Sequence, residues 1–248
     1  MAKNTDSNLY TLLFASGMVV IVGALLAFLA TALKEKIAEN KRIEKQQNIL
    51  YAMGINENDE TSVTFVSKDK VSSEFSKYIT KQIVITGTNV VEDNNAYLID
   101  LKKEAAAAKN KGYQRKLPLF IGTKENLQYY TIPVRGKGLW DAIWGYVAID
   151  NNMVVQGVFF DHAGETPGLG SNIKERFFMD DFKGEHFLDG DIFKGISVSK
   201  GNADPKNLDK TDFEVDAIAG STITGDGLAA MLKKDLKMYL PYLKTLKQ

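Results

Sequence analysis

The chain contains no cysteine. That excludes disulfides, thiolate-ligated iron–sulfur clusters and any cofactor joined through sulfur. Histidine is almost as scarce. His162 and His186 are the two present, and nothing around them has metal-ligand spacing, which argues against a protein-held metal. Net charge is missing too: 31 basic and 31 acidic side chains balance, so there is no electrostatic footprint for nucleic acid. No Gly-x-Gly-x-x-Gly run follows a strand pattern, so no dinucleotide site is visible. Redox chemistry in such a chain requires an organic cofactor. The length, 248 residues, allows one large or two small domains.

Charge is also absent locally. Leu9 to Leu33 carries no charged residue, and as a helix these residues span about 37 Å, enough to cross a bilayer core with some tilt. Ala30-Thr31-Ala32 resembles a cleavage site, but the apolar run is too long for a signal peptide. An uncleaved single-pass anchor at 9–33 is expected, after a short tail at 1–8. Lys3 precedes it, and Lys34, Lys36, Lys41, Arg42 and Lys45 follow. By the positive-inside rule alone, this bias places the C-terminal side in the cytoplasm.

Residues 34–54 alternate charge with sparse apolar positions (Ile37, Ile43, Leu50) and read as a solvated stalk helix ending at Gly54. Residues 55–135 read as an α+β segment. Its strand candidates are Val63–Val66, Ile83–Ile85 and Tyr97–Ile99. Ser72 or Ser73 is positioned to cap a helix running to Tyr78, and Lys102–Lys109 is a good helix former.

From Gly136 the signals become denser. Ile143–Asp150 and Met153–Phe160, joined by Asn151-Asn152, predict a hairpin. Asp161–Gly170 is a loop whose Pro167-Gly168 pair favours a type II turn. A helix is expected from about Asn172, with Glu175 placed for a capping box. Ile196–Gly201 reads as a strand leading to a loop. Several side chains here have two readings. Glu165 is either a surface carboxylate or the group that orders the loop. Trp140 is either core or a ring-stacking residue. His162 is a loop residue or a proton carrier, and Lys200 is a surface lysine or a phosphate contact.

The stretch Asp216-Ala217-Ile218-Ala219-Gly220-Ser221-Thr222-Ile223-Thr224-Gly225-Asp226-Gly227 is small-residued and rich in hydroxyls. Leu228, Met231, Leu232, Leu236, Tyr239 and Leu240 follow at helical spacing, and Pro241 is expected to kink or end that helix. The stretch therefore reads as a tight loop entering a helix N-terminus, a natural seat for phosphate. A P-loop is excluded because Asp226-Gly227 stands where Lys-Ser/Thr is needed. A plain Gly/Ser/Thr helix cap remains open.

The same stretch resembles the flavinylation motif Asp-x-x-Ser-Gly-Ala-Thr-x-Thr of the C subunit of Na+-translocating NADH:quinone reductases and of the G subunit of Rnf-type complexes. The match falls on Asp216, Gly220, Thr222 and Thr224, with Ala219 for Ser and Ser221 for Ala. Gly138-Leu139-Trp140 and Glu165-Thr166-Pro167-Gly168-Leu169-Gly170 resemble two further segments of that family's FMN-binding domain, in the same order. The long 54–135 segment favours the reductase family over its Rnf counterpart. A membrane-anchored flavin module outside any pump is a further alternative.

The resemblance implies FMN bound covalently by a phosphoester to Thr224. It also implies that Gly220, Thr222, Trp140 and the Glu165–Gly170 loop lie at the cofactor; from the residues themselves, Glu165, Thr166, Gly168 and Leu169 read as ring contacts, with Ser221 and Lys200 near the phosphate. It implies an electron relay from NADH towards quinone coupled to Na+ export, with partner subunits, a flavin transferase that uses FAD, and membrane lipid around the anchor. The complete active site of such a reductase lies in the assembly rather than in this chain, whose one span holds no acidic residue for an ion path. The flavin domain is expected on the outer face of a bacterial inner membrane, against the local charge bias. The expected fold is α+β: a twisted, largely antiparallel sheet with flanking helices after one transmembrane helix, with residues 136–248 as the FMN-binding domain.

Overall fold

A computed structural model describes residues 7–59, 62–201, 204 and 207–247. Lys3 and most of the N-terminal tail lie outside them. The chain divides into two units, Met1–Arg42 and Ile43–Gln248.

In the first unit, α1 (Asn8–Ala32) begins where the Ser7 hydroxyl accepts the Tyr10 N–H at 3.2 Å. None of its residues is buried and its mean hydropathy reaches 2.6. An uncharged, largely apolar helix that buries nothing within the protein has the right length and surface for a bilayer. It is the one helix among the described residues long and apolar enough to cross a membrane.

The second helix, α2 (Lys34–Ala52), carries the expected charged stretch, but its last turns are not solvated. Gln46, Asn48 and Ile49–Ala52 are buried. Tyr51 packs against Phe65 and Phe159, with ring centroids 5.3 and 5.8 Å away. The sparse apolar pattern ahead of them hid this C-terminal plug.

The core of the second unit is a six-stranded antiparallel sheet in the order β2-β1-β3-β4-β5-β6. Its strands are β1 (Ile79–Thr86), β2 (Asn89–Glu92), β3 (Leu117–Lys124), β4 (Leu127–Lys137), β5 (Ala142–Ile149) and β6 (Val155–His162). The sheet runs across Gly136 without a break. The predicted β5–β6 hairpin is present, and Asp150 organises its turn by accepting the Asn152 and Val154 amides at 2.8 and 3.0 Å. Strands β3 and β4 escaped sequence reading because Pro118 and Pro133 interrupt them. Both prolines lie beyond the last β3–β4 pair, Phe120↔Thr131, where each strand has lost one neighbour and a missing N–H costs no ladder bond.

Other local expectations differ. Val63–Val66 is a loop, with Thr64 N–H bonded to Asn58 Oδ1 at 2.7 Å and Phe65 turned onto the core. Tyr97–Ile99 falls at a 3-10 turn, Ala96–Leu98. Helix α3 (Val71–Tyr78) starts at Lys70 without a side-chain cap, so Ser72 and Ser73 lie inside it. Helix α4 (Leu101–Ala107) is capped by Asp100. A 3-10 turn, Gly170–Lys174, precedes α5 (Arg176–Met179), and Glu175 makes no capping bond. Short pairs follow: β7 (Leu188–Asp189) with β8 (Ile192–Phe193), and β9 (Ser197–Val198) parallel to β10 (Glu214–Val215).

The last helix, α6 (Thr222–Leu243), begins earlier and ends later than expected, and it contains Pro241. Gly225 and Gly227 sit within its first turns. A Cβ on Gly227 would come 2.3 Å from the Lys137 carbonyl oxygen, so this glycine is there to let helix and strand touch, and it does not mark a loop. Along α6, Leu228, Met231, Leu232, Leu236 and Tyr239 are buried at spacings of three and four. The α+β architecture with a largely antiparallel sheet is as expected.

Candidate functional site

The loop after β6 is shaped by its own backbone. Leu169 N–H donates to the Thr166 carbonyl at 3.1 Å, and Gly168 has a φ of 75°, as the predicted Pro-Gly type II turn requires. His162 Nδ1 accepts the Glu165 N–H at 3.1 Å, which places this histidine in a loop-holding role. The turn carries Thr166 and Leu169 outward and Glu165 inward.

Glu165 is only 4% exposed, so it is not a surface carboxylate. Its Oε1 accepts the backbone N–H groups of Trp140 at 2.9 Å and Asp141 at 3.4 Å. Its Oε2 accepts the Thr224 hydroxyl at 2.6 Å. Burial pushes the carboxyl upward. The Thr224 hydroxyl and the Trp140, Asp141 and Leu139 amides outweigh it and hold Glu165 below the ordinary glutamate range. Gly170 makes the pairing possible, since a Cβ there would lie 2.6 Å from both Glu165 Oε2 and Thr224 Oγ1.

Across from this loop stands the N-terminus of α6. The first intrahelical bond is Gly225 N–H to the Ser221 carbonyl at 2.9 Å, and Ser221 makes no side-chain cap. The amides of Thr222, Ile223 and Thr224 therefore point out of the helix start without intrahelical acceptors. Ser221 is 6% exposed and its Oγ is buried without a hydrogen-bond partner. Thr224 is 1% exposed, whereas Thr222 faces solvent. Residues Gly220–Thr224 and the facing Leu139, Glu165, Thr166, Leu169 and Gly170 enclose a cleft of about 270 Å³.

The structure thus gathers most of the predicted site residues. Gly220, Ser221, Thr222, Thr224, Glu165, Thr166 and Leu169 line one cleft. Gly168 shapes the turn without lining it. Trp140 is exposed, not core, and its Nε1 donates to Thr166 Oγ1 at 3.1 Å at the cleft's edge. Lys200 is not brought into the lining; its Nζ stands 3.6 Å from Asp226 on the surface. Leu139, Gly170 and Ile223 join the cleft without having been singled out. Leu139 and Gly170 had a signal, since both lie within the two segments that resemble the FMN-binding domain, and Ile223 had none beyond its place between the two threonines.

An anion fits this place. Free first-turn amides, a buried orphan hydroxyl and a helix dipole all favour a phosphate. Leu139, Leu169 and Ile223 add exposed apolar surface suited to a flat ring.

The FMN-binding domain family matches residues 138–237, the stretch that contributes both walls of the cleft. A protein from Pseudomonas aeruginosa, named as the C subunit of its Na(+)-translocating NADH-quinone reductase, is 29% identical over 92% of this chain and 91% of its own length. Its namesake from Vibrio alginolyticus is 26% identical over 92% and 90%. By sequence, this chain is similar to the C subunits of Na(+)-translocating NADH-quinone reductases. The fold agrees: the crystal structure of the C subunit from Parabacteroides distasonis superposes with a TM-score of 0.71 at 29% identity, covering 85% of this chain and 96% of that one. Residues 138–237 are thus similar to FMN-binding domains, and most of the chain is similar to proteins named as one subunit of an oxidoreductase complex.

Proposed function

We propose that this chain is the FMN-carrying electron-transfer subunit of a Na+-translocating NADH:quinone reductase, with FMN joined to Thr224 Oγ1 by a phosphoester. The observation that carries the proposal is the placement of the Thr224 hydroxyl. It lies in a cleft at a helix start that holds unbonded amides and the orphan Ser221 hydroxyl. Thr222, Ser221 and the first-turn amides would hold the phosphate. Thr166 and the apolar Leu139, Leu169 and Ile223 would border the ring, with Trp140 at the rim. Bound FMN supplies electron transfer; the protein's part is to hold it, exclude water and tune its surroundings.

In this reading α1 anchors the chain in the inner membrane and the flavin domain stands on the periplasmic side. A long domain can be translocated against the local lysine bias. Covalent attachment there prevents loss of the cofactor. Other subunits of the complex supply and remove electrons, and an FAD-dependent flavin transferase loads the site.

Intact-protein mass spectrometry on chain co-expressed with such a transferase tests this. An FMN adduct on the wild type that disappears in Thr224→Ala is expected. An unmodified wild type, or an adduct that persists in Thr224→Ala, overturns the assignment.

A further inference from the structure

We propose that Glu165 is the base that activates Thr224 for its own esterification. This rests on the covalent FMN reading above and adds a residue role to it. An alcohol is a weak nucleophile at neutral pH and needs a positioned proton acceptor within about 2.6–3.2 Å. Glu165 Oε2 is 2.6 Å from Thr224 Oγ1. Glu165 is the sole carboxylate among the residues lining the cleft, and no histidine or lysine joins it there.

The carboxylate is also aimed. Trp140 and Asp141 amides fix Oε1, which leaves Oε2 for the hydroxyl. The backbone at Gly170 is built around the pair, with no room for even a methyl group beside it. The amides and the hydroxyl keep Glu165 ionised, so Oε2 is an open acceptor at neutral pH, though the same bonds weaken it as a base and its effect rests on its position at 2.6 Å.

The step balances with FAD as donor. Thr224 Oγ1 attacks the phosphorus of the flavin-bearing phosphate and forms the new Oγ1–P bond. The pyrophosphate P–O bond breaks and AMP leaves with that electron pair. The Oγ1 proton moves to Glu165 Oε2 and from there to water. No oxidant or reductant takes part. Carboxylates that accept a hydroxyl proton during phosphoryl transfer play the same role in kinases.

A structural role for Glu165 predicts something different. It would alter folding but not the pH dependence of loading. The test uses full-length chain, purified transferase and FAD, and follows adduct formation by intact mass between pH 5.5 and 9. Wild type, Glu165→Gln and Glu165→Asp are compared, with thermal denaturation of each unloaded protein.

Glu165→Gln is expected to load at least about 100-fold more slowly than wild type, in line with loss of a general base. Its rate should rise with pH as hydroxide substitutes for the carboxylate. Glu165→Asp, shorter by one methylene, should also be slow. A folded Glu165→Gln that loads within threefold of wild type, with an unchanged pH profile, overturns the proposal. If Glu165→Gln does not fold, Glu165→Asp decides by the same criterion. Failure of the wild type to load would instead overturn the covalent reading itself.

Discussion

Asp235 Oδ2 accepts the backbone N–H of Arg135 at 2.7 Å, joining two residues one hundred positions apart. Arg135 lies on β4 beyond the last β3 pair, so its N–H on that side has no strand partner. Asp235, from α6, takes the place of the missing strand. Its other oxygen faces Arg115 Nη1 at 3.5 Å, and the aspartate is fully buried. Asp235→Ala should therefore cost about 3–5 kcal/mol, since it strands both the Arg135 amide and a nearly buried guanidinium. Asp235→Asn, which keeps an acceptor, should cost less. Urea midpoints of the two variants check the order; equal losses would sink the argument.

Gly170→Ala places a methyl group against Glu165 Oε2 and Thr224 Oγ1. Both obstacles are side-chain atoms, so the pair must separate for the methyl to fit. We expect a stability loss of about 1–3 kcal/mol, typical of overpacking, together with impaired flavin loading. Denaturation and intact-mass measurements on the same sample check both. Normal loading in this variant would show that the 2.6 Å contact is dispensable.

Glu185 gives a pH signature away from the cleft. It is fully buried, and Oε1 accepts from Asn207 Nδ2 at 2.7 Å with Lys210 Nζ at 3.6 Å. Burial pushes its carboxyl up to about 7, against the lowering effects of Asn207 and Lys210 and with Asp212 reinforcing the rise. The unfolded value is about 4.3. Between these two values the native state retains a proton that the unfolded chain has released, so stability should fall as pH rises from about 4.3 to 7 and level off above. The drop is at most about 4 kcal/mol. Glu185→Gln should flatten most of it. Asp181, raised by burial and by Asp216 to about 6, would leave a residual slope of the same sign. Melting temperatures at pH 5 and 8 decide; a slope in Glu185→Gln as steep as in wild type would reject Glu185 as the source.

Ser221→Ala separates the unloaded protein from the loaded one. In the unloaded chain the Ser221 hydroxyl is buried with no partner, so removing it should leave stability unchanged within about 0.5 kcal/mol or raise it slightly. In flavin-loaded protein the same change should be destabilising, because a phosphate contact is lost. Thermal denaturation before and after loading checks this. The same effect in both forms would place Ser221 outside the phosphate site.

The site was more legible in the sequence than the sheet was. The two cleft walls announce themselves through spaced small residues, prolines and hydroxyls whose chemistry is local. The inward turn of Glu165 was not readable, because it depends on a partner 59 residues away. The α6 start was misplaced because Gly225 and Gly227 look like loop residues until Lys137 and Val198 are seen against them. Val63–Val66 has strand composition, yet it joins no sheet, and its backbone bonds go to the Asn58 and Gln47 side chains and to the Glu57 amide. Strand pairing is non-local, so composition identifies who can pair and not who does.

The helix bearing Thr224 docks on residues that lie far upstream in the sequence. Tyr239 OH donates to the Pro118 carbonyl, 121 positions upstream, and Asp235 reaches back to Arg115. The cleft therefore exists only once α6 has closed onto the sheet. A chain in which α6 has not docked presents Thr224 but no pocket, so on the covalent reading loading would report on completed tertiary structure.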